Sequence, residues 1–173
     1  MAAGRSKRGS GVADTLSGLT REDVRLVQGH WRAIEQNLAA VGVDVFVTMF
    51  TKHPEYQKLF RSLAHLPLEA LRRHKALESH GATVMQALTR VVDGLSRPDA
   101  DLRVMRDQGR LHAKWHVKEF HFLDLRREIL EVLTRHLEDE MDDRAQDAWC
   151  RTLDFMFSGL LAGLEEGMRQ SKK

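Results

Sequence analysis

The sequence predicts an all-α protein. Its 173 residues include only three prolines, and no segment shows the alternation of apolar and polar residues between hairpin turns that indicates β-strands. Apolar residues recur instead at helical spacing in several segments. A chain of this length can form one ordinary domain with its own core. We predict a helical domain over residues 19–168, preceded by a flexible basic leader at 1–18 and followed by a polar tail at 169–173.

Three signals divide the first half of the chain into helices. Thr20, followed by Arg-Glu-Asp, is typical of an N-cap with acidic residues in the first turn. A second helix should end at His53, because Pro54 restricts the conformation of the residue before it. A short irregular segment follows, and the apolar pattern then predicts one long helix from near Leu68 to about Leu95.

The second half predicts three further helices. Ser-Arg-Pro-Asp-Ala-Asp, at 96–101, is a turn that opens a shorter helix. Apolar residues from Phe120 to about Leu137 predict a helix that faces the core. The polar run Asp-Glu-Met-Asp-Asp-Arg-Ala-Gln, at 139–146, marks a break before the last helix.

Charge and composition exclude several classes of protein. The 27 Lys and Arg residues nearly balance 25 Asp and Glu residues, giving a net charge of +2, so nucleic-acid binding is not indicated. No apolar run is long enough for a membrane span. The single cysteine, Cys150, cannot form an internal disulfide, which favours a cytoplasmic protein. Arg5, Lys7 and Arg8 read as part of a solvated tail.

Two of the nine histidines lie where a core is expected. His80 shares the apolar stripe of the long helix with Val84 and Leu88. An imidazole that faces a core needs a partner or a function. His112 lies near the end of the shorter helix, and His116 follows one turn later.

Other chemistries have weaker support in the sequence. His112 and His116 could bind zinc from one helix face, but two ligands are too few for a site. The glutamate of the zinc-protease pattern is missing between them. Neither a Gly-x-Ser-x-Gly turn nor a phosphate-binding glycine loop is present.

Gly42 and Gly81 lie inside predicted helices. Glycine at such a position costs up to about 1 kcal/mol relative to alanine, so a compensating reason is expected. The absence of a side chain lets another backbone approach closely. We predict that the second helix and the long helix cross at these two glycines; the alternative is two tolerated glycines that make no mutual contact.

Over nearly the whole chain, the sequence resembles the globins. Gly42 and Gly81 match the paired glycines at which two globin helices cross. Pro54 matches the proline that begins the third helix, and Phe60, six residues later, matches the phenylalanine that packs on the haem. Trp31 matches the tryptophan of the first helix. The details look most like animal globins of the invertebrate, arthropod-like and intracellular kind.

The resemblance also assigns roles to histidines. His80 corresponds to the distal histidine and Val84 to the valine one turn further into the pocket. His112, 32 residues after His80, corresponds to the proximal ligand of the iron. His116 occupies a position that often meets a haem propionate. Besides the histidines, the resemblance implies a haem slot lined by Phe46, Phe60, Val84, Leu88, Val117, Phe122 and Leu125.

A globin would bind haem b through His112 and bind dioxygen reversibly beside His80, for storage, intracellular transport or sensing. Carbon monoxide and nitric oxide would be further ligands, and His80 is a candidate second iron ligand. One alternative is nitric oxide dioxygenation or nitrite reduction, which needs a separate reductase. Another is a helical interaction module without haem. The protein is expected to be a monomer or a homodimer.

Three positions depart from the globin pattern. Gln108 stands where leucine is usual, and Leu111 replaces a small polar residue just before His112. Both bear on the proximal helix. Phe46 stands where leucine is common in the distal pocket, so it bears on ligand affinity.

Overall fold

A computed structural model describes residues 12–171. Within that range every regular element is helical, which confirms the all-α prediction. Short 3₁₀ helices at Pro54–Leu59, Ala113–Trp115 and Glu138–Glu140 separate some of the α-helices. The α-helices are α1 (Arg21–Glu35), α2 (Leu38–Lys52), α3 (Leu68–Leu71), α4 (Lys75–Gly94), α5 (Pro98–His112), α6 (Glu119–Leu137) and α7 (Asp143–Gln170).

Local capping explains where α1 and α7 begin. The Thr20 hydroxyl accepts a hydrogen bond from the Asp23 N–H at 3.2 Å, and the Asp23 carboxylate accepts from the Thr20 N–H at 2.9 Å. This reciprocal capping box confirms the predicted start of α1. Asp142 caps α7 by accepting from the Ala145 N–H at 2.8 Å.

The predicted long helix is wrong at its N-terminal end. Leu68–Leu71 forms the separate single-turn helix α3, and α4 begins only at Lys75. His74 has an extended backbone, with φ −86° and ψ 120°, and its Nδ1 accepts from the Ala76 N–H at 3.2 Å. This imidazole acts as an N-cap and starts a new helix at Lys75. The continuous apolar pattern of the sequence therefore belongs to two helices, α3 and α4, and not to one.

Two tryptophans lie at the centre of the main core. Trp31 of α1 and Trp149 of α7 are almost fully buried, and their ring centroids are 5.9 Å apart. The Trp31 indole donates to the Thr89 hydroxyl at 3.0 Å, and the Trp149 indole donates to His30 Nδ1 at 3.2 Å. Both buried indole N–H groups are therefore hydrogen-bonded.

Helices α2 and α4 cross in direct backbone contact. A Cβ atom built on Gly42 would lie 2.5 Å from the carbonyl carbon and oxygen of Gly81. The prediction that these two glycines face each other is confirmed. The crossing fixes the part of α4 that carries His80, which is the residue before Gly81.

Helices α5 and α7 form a second close pair that the sequence did not predict. Gly159, Gly163 and Gly167 recur every fourth residue on α7 and lie against α5. Gly109 of α5 lies against the backbone of α7 in return. A Cβ on any of these glycines would overlap or crowd the facing helix. The contact therefore holds α5, the helix that ends at His112, against the longest helix of the fold.

The structure describes only part of the predicted N-terminal leader and C-terminal tail, namely residues 12–18 and 169–171. Asp14 accepts hydrogen bonds from the N–H groups of Leu16 and Ser17, at 2.9 and 2.8 Å, and Arg151 donates to the Gly18 carbonyl at 2.8 Å. The basic residues at positions 5, 7 and 8 lie outside the described residues. The division into leader, domain and tail stays a prediction. Within residues 12–171 no single helix is long and apolar enough to cross a membrane, and only α1 with α2, bent by 96°, passes that test as a pair.

Candidate functional site

One large apolar cavity lies between the helices. The space between its walls, including the open solvent at its mouth, is about 960 Å³. Side chains from α2, α4, α5, α6 and α7 and from the Pro54–Leu59 segment form its walls. Nine of the ten predicted site residues line it: Phe46, Phe60, His80, Val84, Leu88, His112, Val117, Phe122 and Leu125.

His116 is the predicted site residue that does not line this cavity. It follows the 3₁₀ helix Ala113–Trp115 and has a left-handed backbone conformation, with φ 59° and ψ 18°. Its side chain is exposed. The chain reverses at this residue to enter α6, and the imidazole lies at the protein surface.

His112 is the last residue of α5 and is half-buried in the cavity wall. Its Nδ1 lies 2.8 Å from the main-chain oxygen of Gln108. A carbonyl oxygen only accepts, so Nδ1 carries the hydrogen and donates it, which leaves the lone pair on Nε2. The ring also meets the Phe122 ring edge-on, at 65°, with centroids 5.3 Å apart. The imidazole is therefore held in one tautomer and orientation, with Nε2 available as a ligand.

His80 is half-buried on α4 against two phenylalanines. Its ring centroid lies 4.9 Å from that of Phe46 and 5.2 Å from that of Phe60. Burial lowers the pKa of His80 below its ordinary value, and the electrostatic effect of the neighbouring His112 acts in the same direction. No hydrogen bond to the His80 side chain is found within residues 12–171. The cavity thus contains a neutral imidazole whose ring nitrogens are available to hydrogen-bond to a ligand.

Sequence reasoning missed a polar group in the cavity wall. Tyr56 donates a hydrogen bond to the Asp124 carboxylate at 2.7 Å. Burial, together with the hydrogen bond to Asp124, raises the pKa of Tyr56 to about 12. His121 meets the Tyr56 ring edge-on at 4.5 Å and accepts from the Lys118 N–H at 2.9 Å. Burial lowers the pKa of His121.

One sequence signal could have identified His121. It lies four residues before Leu125, so both occupy the same face of α6. The remaining missed lining residues are mostly apolar. They are Met49, Leu59, Thr83, Ala87, Met105, Gln108, Ile129, Met156, Phe157 and Leu160.

A sequence model of the family described as Globin matches residues 43–160. The chain belongs to the globin family. It is also 29% identical over 150 residues to "Cytoglobin-1" of Oryzias latipes, an alignment that covers 86% of this chain and 85% of that one.

The globin fold is shared with a solved structure. A "Crystal structure of hexacoordinated heme protein from anhydrobiotic tardigrade at pH 4" superposes with a TM-score of 0.83 and covers 88% of this chain and 99% of its own. The two are 18% identical, so the similarity concerns the fold. The prediction of an invertebrate, arthropod-like globin stays a prediction.

Family membership supports haem as the cofactor of this globin, and the cavity fits such a group. An apolar disc with a metal at its centre needs an apolar slot and an axial nitrogen ligand. Phe46 and Phe60, beside His80, contribute to the apolar slot, and Nε2 of His112 is available as the axial nitrogen ligand. The zinc alternative gains no support, because the described residues contain no group of three His, Cys, Asp or Glu that could hold a bare metal ion.

Proposed function

We propose that this globin binds haem b with His112 as the axial iron ligand and reversibly binds dioxygen on the side of His80. Storage, intracellular transport and sensing are the roles that such binding serves. The observation that carries the proposal is the pair of imidazoles in one apolar cavity, one of them fixed by Gln108 so that its Nε2 is available.

His112 and its surroundings would hold the group in place. The hydrogen bond that His112 Nδ1 donates to the Gln108 carbonyl oxygen keeps Nε2 unprotonated and raises the basicity of the imidazole ring. The close contact of α5 with α7 resists movement of that helix. When bound, haem would supply an iron atom able to bind a diatomic gas such as dioxygen, carbon monoxide or nitric oxide.

His80 would act on the ligand. As a neutral imidazole it has one N–H to donate, and a ligand with partial negative charge accepts that bond. A hydrogen bond to a charged group contributes about 1.5–3 kcal/mol, which corresponds to roughly ten- to a hundred-fold in affinity. Phe46 and Phe60 exclude water from the same space.

The same imidazole is available as a second iron ligand. It has no other hydrogen-bond partner within residues 12–171, and the tardigrade protein is described as hexacoordinated. In that case an incoming gas must first displace His80. Ligand binding would then remain reversible but become slower.

Absorption spectra of the purified ferric and ferrous protein, with and without carbon monoxide, test this proposal. We expect a Soret band, a shift of that band on addition of carbon monoxide, and a spectrum of the unliganded form that reports whether His80 is bound. A chain that shows no Soret band after reconstitution with haemin would contradict the proposal.

A second candidate function is nitric oxide dioxygenation or nitrite reduction, supported by a separate reductase. The observation that favours it is an exposed tryptophan, Trp115, in contact with His112. Nitrate formation from nitric oxide and dioxygen under steady reductant supply distinguishes turnover from simple binding. A cytoplasmic location and a monomeric or homodimeric state stay predictions.

A further inference from the structure

Trp115 is an unusual surface residue. It lies on the 3₁₀ helix that follows α5, and 57% of it is exposed. Trp31 and Trp149, by contrast, are almost fully buried. Leu111, one turn earlier, is also exposed, so the end of α5 presents an apolar patch. An indole of this size in water contributes little to the core.

The indole ring of Trp115 contacts the imidazole ring of His112. The two ring centroids are 5.3 Å apart and the rings are nearly perpendicular, at 88°. Phe120, which is 50% exposed, packs instead on Tyr56 and His121. Trp115 thus connects solvent to the proposed iron ligand through a single contact between two aromatic rings. Electrons cross such a contact more readily than a gap of the same length filled with water.

The sequence around Trp115 is basic. Residues 108–118 contain no Asp or Glu, and Asp107 and Glu119 border this segment. Arg110 is paired with Asp107 and Glu166. For Lys114 and Lys118, which flank the tryptophan, no ion pair is found within the described part of the chain. A partner with an acidic face would be attracted to this surface over about one Debye length, roughly 8–10 Å.

We propose that Trp115 is the position at which an acidic one-electron carrier protein docks and passes an electron to the haem through His112. The inference rests on the proposed function. In the step, the reduced carrier, an iron–sulfur or flavin protein, loses one electron, and ferric iron gains it to become ferrous. No bond forms or breaks in the carrier or the indole.

The rate of reduction by a carrier tests the proposal. Ferric protein is mixed with a reduced acidic plant-type ferredoxin, whose low reduction potential makes it a sufficient donor, and formation of the ferrous carbon monoxide complex is followed. We expect Trp115→Leu to lower the second-order rate constant by roughly one order of magnitude. The matched control is Phe120→Leu, which removes an exposed aromatic ring that does not contact His112 and should leave the rate unchanged.

Two further measurements test the role of the basic charge beside Trp115 and the docking of the carrier. Lys114→Glu should lower the same rate constant at low salt, and the difference should narrow as ionic strength rises. In the diamagnetic carbon monoxide complex, oxidised ferredoxin should shift the indole N–H resonance of Trp115 and leave those of Trp31 and Trp149 in place. This second measurement reports binding without turnover.

The outcomes separate the two hypotheses. If the wild-type chain gives no carbon monoxide spectrum, the proposed function fails. If that spectrum is normal in every variant and Trp115→Leu is reduced as fast as wild type, electrons enter elsewhere, for example at the open mouth of the cavity, and only the inference about Trp115 is overturned. An unshifted Trp115 resonance overturns it as well.

Discussion

The backbones of Gly42 and Gly81 are in contact where α2 crosses α4. A Cβ on Gly42 would lie 2.5 Å from the carbonyl group of Gly81, and a Cβ on Gly81 would lie 2.8 Å from the Gly42 carbonyl carbon. Neither helix can accept a side chain there without moving. Since His80 precedes Gly81 and Phe46 lies one turn after Gly42, the crossing also sets the spacing of the cavity wall.

Gly81→Ala should therefore destabilise the fold. The added methyl group meets backbone, which cannot rotate away, and such overpacking typically costs about 1–3 kcal/mol. The free energy of unfolding in urea measures the effect. The control is Gly29→Ala in the middle of α1, where an added Cβ has no atom within 4 Å. There alanine should stabilise the protein by about 0.5–1 kcal/mol, so equal effects at the two positions would contradict the prediction.

Gly163→Ala should also destabilise the protein, through the contact of α5 with α7. A Cβ on Gly163 would overlap the carbonyl oxygen of Arg106 and lie 2.7 Å from its carbon. Overpacking again sets a scale of about 1–3 kcal/mol. Gly159→Ala is the comparison, because its Cβ would lie 2.9 Å from the side-chain Cβ of Met105 and no closer than 3.2 Å to backbone, at the Leu102 carbonyl oxygen. A smaller loss at Gly163 than at Gly159 in urea unfolding would argue against a backbone contact.

Local signals made most helix ends predictable. Thr20 and Asp23, which cap α1, lie close together in the sequence. Pro54 directly follows His53, the C-cap of α2, and so marks the end of that helix. His74 is different, because histidine is not among the residues preferred at an N-cap. The apolar spacing continues across the break between α3 and α4, so periodicity alone could not locate it.

The candidate site was predictable where one helix face carries a continuous pattern. His80 and Val84 share the apolar face of α4, and the globin resemblance supplied His112. His121 was missed, although its position four residues before Leu125 places both on one face of α6; its packing against Tyr56 in the structure shows that it lines the cavity. The glycines of α7 were missed because their partner, α5, is distant in sequence. His116 had the expected type and spacing but lies outside the cavity lining.

His112→Gly should abolish normal axial ligation while leaving a cavity. We expect the Soret band of the reconstituted variant to shift, and added imidazole to restore the wild-type spectrum of the carbon monoxide complex by occupying the vacated space. His116→Gly is the matched control, because that exposed histidine does not line the cavity. A wild-type spectrum in His112→Gly without imidazole would mean that another residue ligates the iron.

His80→Leu should retain haem and release dioxygen faster. Loss of the hydrogen bond from the imidazole should raise the off-rate by roughly ten- to a hundred-fold. Stopped-flow displacement of dioxygen by carbon monoxide measures that rate. If His80 instead ligates the iron, the variant changes the spectrum of the unliganded ferrous form and speeds gas binding. An unchanged off-rate together with an unchanged unliganded spectrum would remove His80 from both roles.

Tyr56 should titrate well above the ordinary range. It is the single tyrosine of the chain, so tyrosinate absorbance reports this residue alone. In the folded protein its pKa is raised to about 12 from 10.0, first by burial and then by the hydrogen bond to Asp124. The neutral phenol therefore favours the folded state. Its contribution to stability is fully present below pH 10 and is lost as the pH rises from 10 to 12.

Asp124→Asn tests the contribution of Asp124 to that shift, which adds to the larger effect of burial. The substitution removes the negative charge beside the phenol, so the midpoint of the absorbance titration should fall toward the ordinary value of about 10. Asp139→Asn, at an exposed carboxylate of the Glu138–Glu140 segment, should leave the midpoint unchanged. Wild-type protein that remains folded, by circular dichroism, and still titrates near 10 would show that the Tyr56 hydroxyl is open to solvent and that the cavity wall lacks this hydrogen bond.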